Sequence, residues 1–199
     1  MKQWFAVGLL LASTAMLQAC AEALIVGGVA VGVMMAADRR QTEVMLADQG
    51  IEFSAGSKID EALKGQGHIN VTSYNYTVLL TGEVPTAQAK ADAEKAASEV
   101  PKVRTVVNEL QIAGTSSAAS RSNDAYITSK VKSSFLGNGK FKPTDIKVVT
   151  EASVVYLLGL VTREEADAAT EVARGTGGVQ KVVRVFEYVT PPAKKPEGG

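Results

Sequence analysis

Few residues of this 199-residue chain have the types and spacing that chemistry needs. Cys20 is its single cysteine, so an intrachain disulfide is excluded. His68 is its single histidine, which rules out most histidine-based metal clusters. It precedes a β-branched stretch and reads as a loop residue rather than a base. Glu164-Glu165 and Asp60-Glu61 are carboxylate pairs in sequence, but adjacent residues on a helix do not face each other. They read as solvated first-turn residues favoured by the helix dipole. Phosphate loop, metal-ligand cluster and nucleophile elbow are all missing from the sequence. No catalytic residue, metal site or cofactor is therefore expected. Asn70-Val71-Thr72 and Asn75-Tyr76-Thr77 match glycosylation sequons by chance. Two features remain: the thiol of Cys20, and Tyr126, Lys130, Lys132, Phe135 and Leu136, which combine apolar and cationic groups on one short segment.

Composition narrows the class. Hydrophobic residues make up 46% of the chain and charged residues 21%, which suits a largely globular protein. Lysine and arginine number 21, as do aspartate and glutamate. A general nucleic-acid binder needs a large positive excess to displace counterions, so nucleic acid is not an expected partner.

Met1 to Ala19 has the form of a secretory signal: Lys2, then an apolar run from Trp4 to Leu17. Leu17-Gln18-Ala19-Cys20 resembles the lipobox of bacterial lipoproteins. The resemblance implies cleavage before Cys20, a diacylglyceryl thioether on its sulfur and an amide-linked acyl chain on its nitrogen. Several acyl chains anchor stably where one binds only marginally. Ala21 follows, where an aspartate would signal inner-membrane retention, so the outer membrane is the expected address. Ala23 to Ala37 is a second apolar stretch, shorter than the roughly 20 residues of a spanning helix. It reads as a juxtamembrane segment or a glycine-rich linker.

The rest of the chain repeats itself. Val78-Leu79-Leu80-Thr81-Gly82-Glu83-Val84 matches Val155-Tyr156-Leu157-Leu158-Gly159-Leu160-Val161, 77 residues on. The same offset aligns Ile69 with Ile146 and Ala89 with Ala166. Upstream, Ile59 and Leu63 align with Ile127 and Val131 at an offset of 68, which predicts a nine-residue insertion near Gly137-Asn138-Gly139. Each unit is predicted to be α+β, a two-layer αββαβ arrangement with two helices on a small three-stranded mixed sheet. Asn123 or Asp124 is expected to cap the helix bearing Ile127, Val131 and Phe135. Thr162-Arg163-Glu164-Glu165 is a capping box. Gly82 and Gly159 lie inside strands, where glycine marks a bulge or a close backbone approach. The predicted divisions are a signal peptide (1–19), a lipidated juxtamembrane segment (20–45), a first domain (46–113), a linker (114–122), a second domain (123–189) and a disordered tail (190–199).

A glycine-bearing apolar strand, a capped alanine-rich helix and a valine-rich strand, taken together, resemble the BON domain. Ser122-Asn123-Asp124, Ile127-Thr128, Lys130-Val131 and Gly159-Leu160-Val161-Thr162-Arg163-Glu164 carry the resemblance in the second unit, and Ile69-Asn70-Val71-Thr72 in the first. Two such units behind a lipobox resemble the dual-BON outer-membrane lipoproteins. That resemblance implies a periplasm-facing protein that binds anionic phospholipid and supports envelope integrity, with the first helix of the second domain touching lipid. The family often has tryptophan where this chain has Tyr126, which implies weaker anchoring.

The residues fit that role, with Tyr126, Lys130, Lys132, Phe135 and Leu136 as the expected phospholipid contacts. Tyr126 and Leu136 fall off the core stripe of Ile127, Val131 and Phe135, and Lys130 and Lys132 flank them. Apolar groups can enter the acyl boundary while ammoniums meet phosphates. At the predicted offset the first unit places Lys58 opposite Tyr126 and Ala62 opposite Lys130, and adds Asp60 and Glu61, so lipid contact is assigned to the second unit. A second reading stands beside it: an adaptor tethered by Cys20 whose sheet edges bind another envelope protein.

Overall fold

The structure, a computed structural model of the full chain, describes residues 39–190. The signal peptide, Cys20, the apolar stretch 23–37 and residues 191–199 of the predicted tail lie outside the described residues. The first domain consists of α1 (Thr42–Leu63), β1 (His68–Tyr74), β2 (Thr77–Val84), α2 (Ala87–Ser98), β3 (Thr105–Asn108) and β4 (Gln111–Ile112). The second consists of α3 (Ala118–Leu136), a 3-10 turn (Pro143–Asp145), β5 (Ile146–Glu151), β6 (Val154–Val161), α4 (Arg163–Arg174) and β7 (Lys181–Tyr188). Among the described residues, no helix is long and apolar enough to cross a membrane.

In both sheets the central strand pairs antiparallel with the strand before it and parallel with the one after α2 or α4. The third strand of the second sheet is continuous, whereas its counterpart is split into β3 and β4, both on β2. The break falls at Leu110, whose side chain is buried in the first core.

The apolar runs of β2 and β6 do not alternate with polar residues because both faces are covered. Val78, Leu80 and Val84 pack under α1 and α2, and Val155, Leu157 and Val161 under α3 and α4. The alternate residues Leu79, Tyr156 and Leu158 join Tyr74 in a third cluster between the two sheets. The layers therefore run helix, sheet, sheet, helix, and α1 and α3 lie on opposite outer sides. Each fully buried Leu or Val contributes roughly 1.5–3 kcal/mol, so this seam adds a core that neither sheet has alone.

The helices correct the predicted alignment. Asp48 in α1 and Asp124 in α3 are both buried, and Ile51, Ala55 and Ile59 fill the places of Ile127, Val131 and Phe135. The offset through these helices is therefore 76, not 68, and there is no nine-residue insertion. The loop after α3 instead replaces the last turn of α1. Both hydrophobic sets recur every four residues, so the wrong one matched by periodicity alone. At the observed offset Gly50, not Lys58, stands opposite Tyr126, and Ser54, not Ala62, opposite Lys130.

The helix starts move as well. Ser117 caps α3 by accepting from the Ser120 amide at 3.1 Å, so part of the predicted linker forms its first turns. Alanine and serine tolerate a helix, and only the linker residues before Ala118 stay outside it. Asp124 is an interior residue rather than a cap. α1 begins at Thr42, inside the predicted juxtamembrane segment. The Thr162 box forms as expected: its hydroxyl accepts from the Glu165 amide at 3.2 Å, and the Glu165 carboxylate accepts from the Thr162 amide at 2.8 Å.

Candidate functional site

A buried aspartate fixes each first helix on its sheet. Asp48 accepts from the amides of Asn75 and Tyr76 at 2.7 and 2.8 Å, and from the Ser73 hydroxyl at 2.7 Å. Asp124 accepts from the amides of Ala152 and Ser153 at 3.0 and 2.8 Å. All four amides belong to two-residue hairpin turns with positive φ at both positions. Such turns ordinarily favour glycine or asparagine. The carboxylates satisfy four part-buried turn amides, and so hold Ala152, Ser153 and Tyr76 in a left-handed conformation.

This clamp sets the rotation of α3. Asp124, Ile127, Val131 and Phe135 face inward, so Tyr126, Ser129, Ser133 and Leu136 face outward at i, i+3, i+7 and i+10. At 1.5 Å per residue the outer stripe spans about 15 Å. Tyr126 is 63% exposed and Leu136 77%. Lys130 sits on one flank, its ammonium 5.4 Å from the centre of the Tyr126 ring and donating to the Gly177 carbonyl at 2.6 Å. Lys132 is exposed on the other flank. The structure excludes Phe135 from the expected phospholipid contacts. It is 1% exposed and packs edge-on against Phe141, ring centres 4.8 Å apart. Its i+4 spacing from Val131 puts it on the core side.

Periodicity on the wrong register also hid Phe53. It is 81% exposed on the outer face of α1, about two turns beyond exposed Leu46. Correct alignment of the two buried aspartates would have revealed it.

The seam between the domains has two ends. At the first, the Tyr74 hydroxyl donates to the Asp145 carbonyl at 2.9 Å. Arg39 pairs with Asp145 at 3.1 Å and bonds Glu165 through both terminal nitrogens at 2.8 and 2.9 Å. These hydrogen bonds hold the Glu165 carboxyl below the usual carboxylate range, against the opposing effect of burial. Lys147 meets Glu52 at 2.6 Å. At the second end lie His68, Glu83, Glu151 and Asn70, residues that sequence reading treats singly. His68 is not a loop residue. It opens β1 opposite Glu83, with Nδ1 3.7 Å from a Glu83 oxygen. The strand glycines serve these ends. A Cβ on Gly82, at φ +111°, would lie 2.0 Å from the His68 carbonyl oxygen, and one on Gly159 would lie 2.7 Å from that of Asp145.

Two αββαβ units, each with a glycine-bearing central strand, define the class. The BON domain pattern matches residues 47–114 and 123–190, and the chain belongs to the BON domain family. Within it the chain is 40% identical, over 185 residues, to the outer membrane lipoprotein DolP of Haemophilus influenzae, covering 92% of this chain and 95% of that protein. It is 36% identical over 154 residues to a 21 kDa hemolysin of Actinobacillus pleuropneumoniae, covering 76% of this chain and 79% of that protein. It is 32% identical over 106 residues to osmotically-inducible protein Y of Escherichia coli, covering 53% of this chain and 50% of that protein. The chain is thus a DolP-like lipoprotein of the outer membrane, in a family not known to be enzymatic.

Proposed function

We propose that this protein, held by lipid on Cys20 and facing the periplasm, binds anionic phospholipid through the outer face of α3 and so supports envelope integrity without catalysis. The observation that carries the reading is the outward stripe from Tyr126 to Leu136, apolar at both ends and flanked by Lys130 and Lys132. The tyrosine ring and leucine suit the acyl boundary, the serines between them suit headgroups, and the ammoniums meet phosphate. Lys130 is held by Gly177, so it presents its charge from a fixed place beside Tyr126. The first domain offers Gly50 and Ser54 at the matching positions, with Asp60 opposite Leu136, an acidic group that anionic lipid repels.

The test is cosedimentation of residues 39–190, a compact unit with its own cores, with vesicles containing or lacking phosphatidylglycerol. Retention only on anionic vesicles, abolished by Tyr126→Ser with Lys132→Glu, supports the reading. Equal retention of that variant removes α3 from it. The adaptor reading is favoured by one observation, Phe53 exposed on the side away from α3. It predicts crosslinking to a protein partner that Phe53→Ser abolishes.

A further inference from the structure

Both ends of the seam carry carboxylates, but their countercharge differs. The repeat relates them: Tyr74 of the first domain corresponds to Glu151 of the second, and Asp145 to His68. At the first end Arg39 and Lys147 supply positive charge. Their counterparts at the second end are Thr115 and Asn70, both neutral. Glu83 and Glu151 nevertheless face each other there, both buried. Among the described residues, the only ion-pairing partner of either is His68, beside Glu83.

We propose that His68, Glu83 and Glu151 bind one divalent transition-metal ion of the zinc type, which closes this end of the seam as Arg39 closes the other.

The geometry supports it in three ways. One ligand atom from each residue can be chosen so that all three lie within 4.8 Å of one another. A modest side-chain adjustment brings such a set around an ion that binds nitrogen and oxygen at about 2.0–2.2 Å. His68 Nδ1 is buried and lacks a hydrogen-bond partner among the described residues, an expensive state for a ring nitrogen unless something else binds it. Finally, each carboxylate is oriented by a single hydrogen bond. The Ser116 amide donates to Glu83 at 3.1 Å, and the Asn70 amide group to Glu151 at 2.7 Å. Such outer partners are how proteins aim metal ligands.

Charge points the same way. Two carboxylates, Glu83 and Glu151, stand together in a low-dielectric seam, where like charges disfavour one another. A divalent cation neutralises the pair. One imidazole with two carboxylates suits zinc, whereas magnesium and calcium prefer all-oxygen sites. Three protein ligands leave one tetrahedral position for water. Because the ligands come from both domains, the expected consequence is a tighter seam rather than catalysis. Gly82 is part of the site, since its missing Cβ lets the His68 backbone close onto β2.

The test uses the full-length lipoprotein in detergent, stripped with a chelator and dialysed against micromolar Zn²⁺. Elemental analysis should find one zinc per chain, and zinc but not Mg²⁺ should raise the melting temperature. His68→Ala and Glu151→Gln should each weaken zinc retention at least tenfold. Glu151→Gln keeps an acceptor for Asn70 and removes a buried charge, so its fold is expected to survive. It decides the matter if His68→Ala does not fold. Failure of the wild-type protein to retain zinc, or equal retention by Glu151→Gln, overturns the proposal. Vesicle binding by α3 is a separate readout, which these variants should leave unchanged.

Discussion

α1 and α3 begin from the same plan and end with opposite outer faces. Each carries a buried aspartate that holds a hairpin turn, then three core residues at four-residue spacing. Outward, α3 presents Tyr126 and Leu136 beside lysines, while α1 presents Leu46, Gly50 and Phe53 with Asp60 nearby. The layers put these faces on opposite sides, so both cannot lie on one flat membrane. The inner faces diverge too, with arginine and lysine at one end of the seam and neutral Thr115 and Asn70 in their places at the other. The fold is therefore specified by what the repeats share, and any division of labour by what they do not.

The sharpest way to break that comparison is at the strand glycines. Gly82 adopts φ +111° and a Cβ would meet the His68 carbonyl at 2.0 Å, whereas Gly159 has no such φ and the contact is 2.7 Å. Gly82→Ala should cost about 3 kcal/mol or more, from strain plus clash, and Gly159→Ala roughly half that. Urea unfolding measures both, and equal costs would mean that the strand edge relaxes in the first domain. The turn clamps come next. Asp48→Ala strips two amides and a hydroxyl and leaves Arg40, paired at 2.7 Å, without that carboxylate. Asp124→Ala strips two amides. Each part-buried amide that loses its acceptor costs at most about 1–3 kcal/mol, so both variants are destabilised and Asp48→Ala the more so. Should Asp124→Ala prove nearly neutral, water must reach the Ala152-Ser153 turn.

Much of this was legible in the sequence. The strand repeat at 77 residues, the capping box at Thr162 and the outward placement of Tyr126 and Leu136 follow from local pattern, which one helix or hairpin suffices to express. Phe135 was misread because a residue on the core stripe of an amphipathic helix can be counted with its exposed neighbours until burial is known. Registration of α1 failed for a different reason. Ile51, Ala55, Ile59 and Leu63 offer several equivalent four-residue matches, and only the contact between Asp48 and a turn 27 residues away selects one. The cluster of His68, Glu83 and Glu151 depends on two sheets meeting face to face, which no local pattern encodes. The interruption of alternation in Val78-Leu79-Leu80 and again in Val155-Tyr156-Leu157-Leu158 is the local signal that the second sheet face is buried.

A smaller effect sharpens the contrast between the outer faces. Tyr126→Ser with Leu136→Ser should weaken binding to phosphatidylglycerol vesicles about tenfold, or about 1.4 kcal/mol, while Phe53→Ser leaves it unchanged. Binding that falls equally in both variants would mean that the two outer helices share one surface partner.

The smallest expected effect tests the arginine end of the seam. Arg39 holds the Glu165 carboxyl low by direct hydrogen bonds, and the Thr162 amide assists. A carboxylate lowered in the folded state stabilises it above the unfolded value near 4.3, and that contribution vanishes as pH falls through the lowered folded value. The stability difference between wild type and Arg39→Ala should therefore be full at pH 7 and shrink under acid, below about pH 4. Arg39 is about one-third exposed, so screening keeps the part of the difference that comes from Glu165 under about 1 kcal/mol, and salt should reduce it further. Thermal melts across pH decide what the arginine is for. It also donates to the Leu160 carbonyl at 2.9 Å, a bond that does not titrate. A difference that stays flat from pH 7 to pH 3 would mean that Arg39 secures the second domain through this backbone contact, and that the carboxylates merely accompany it.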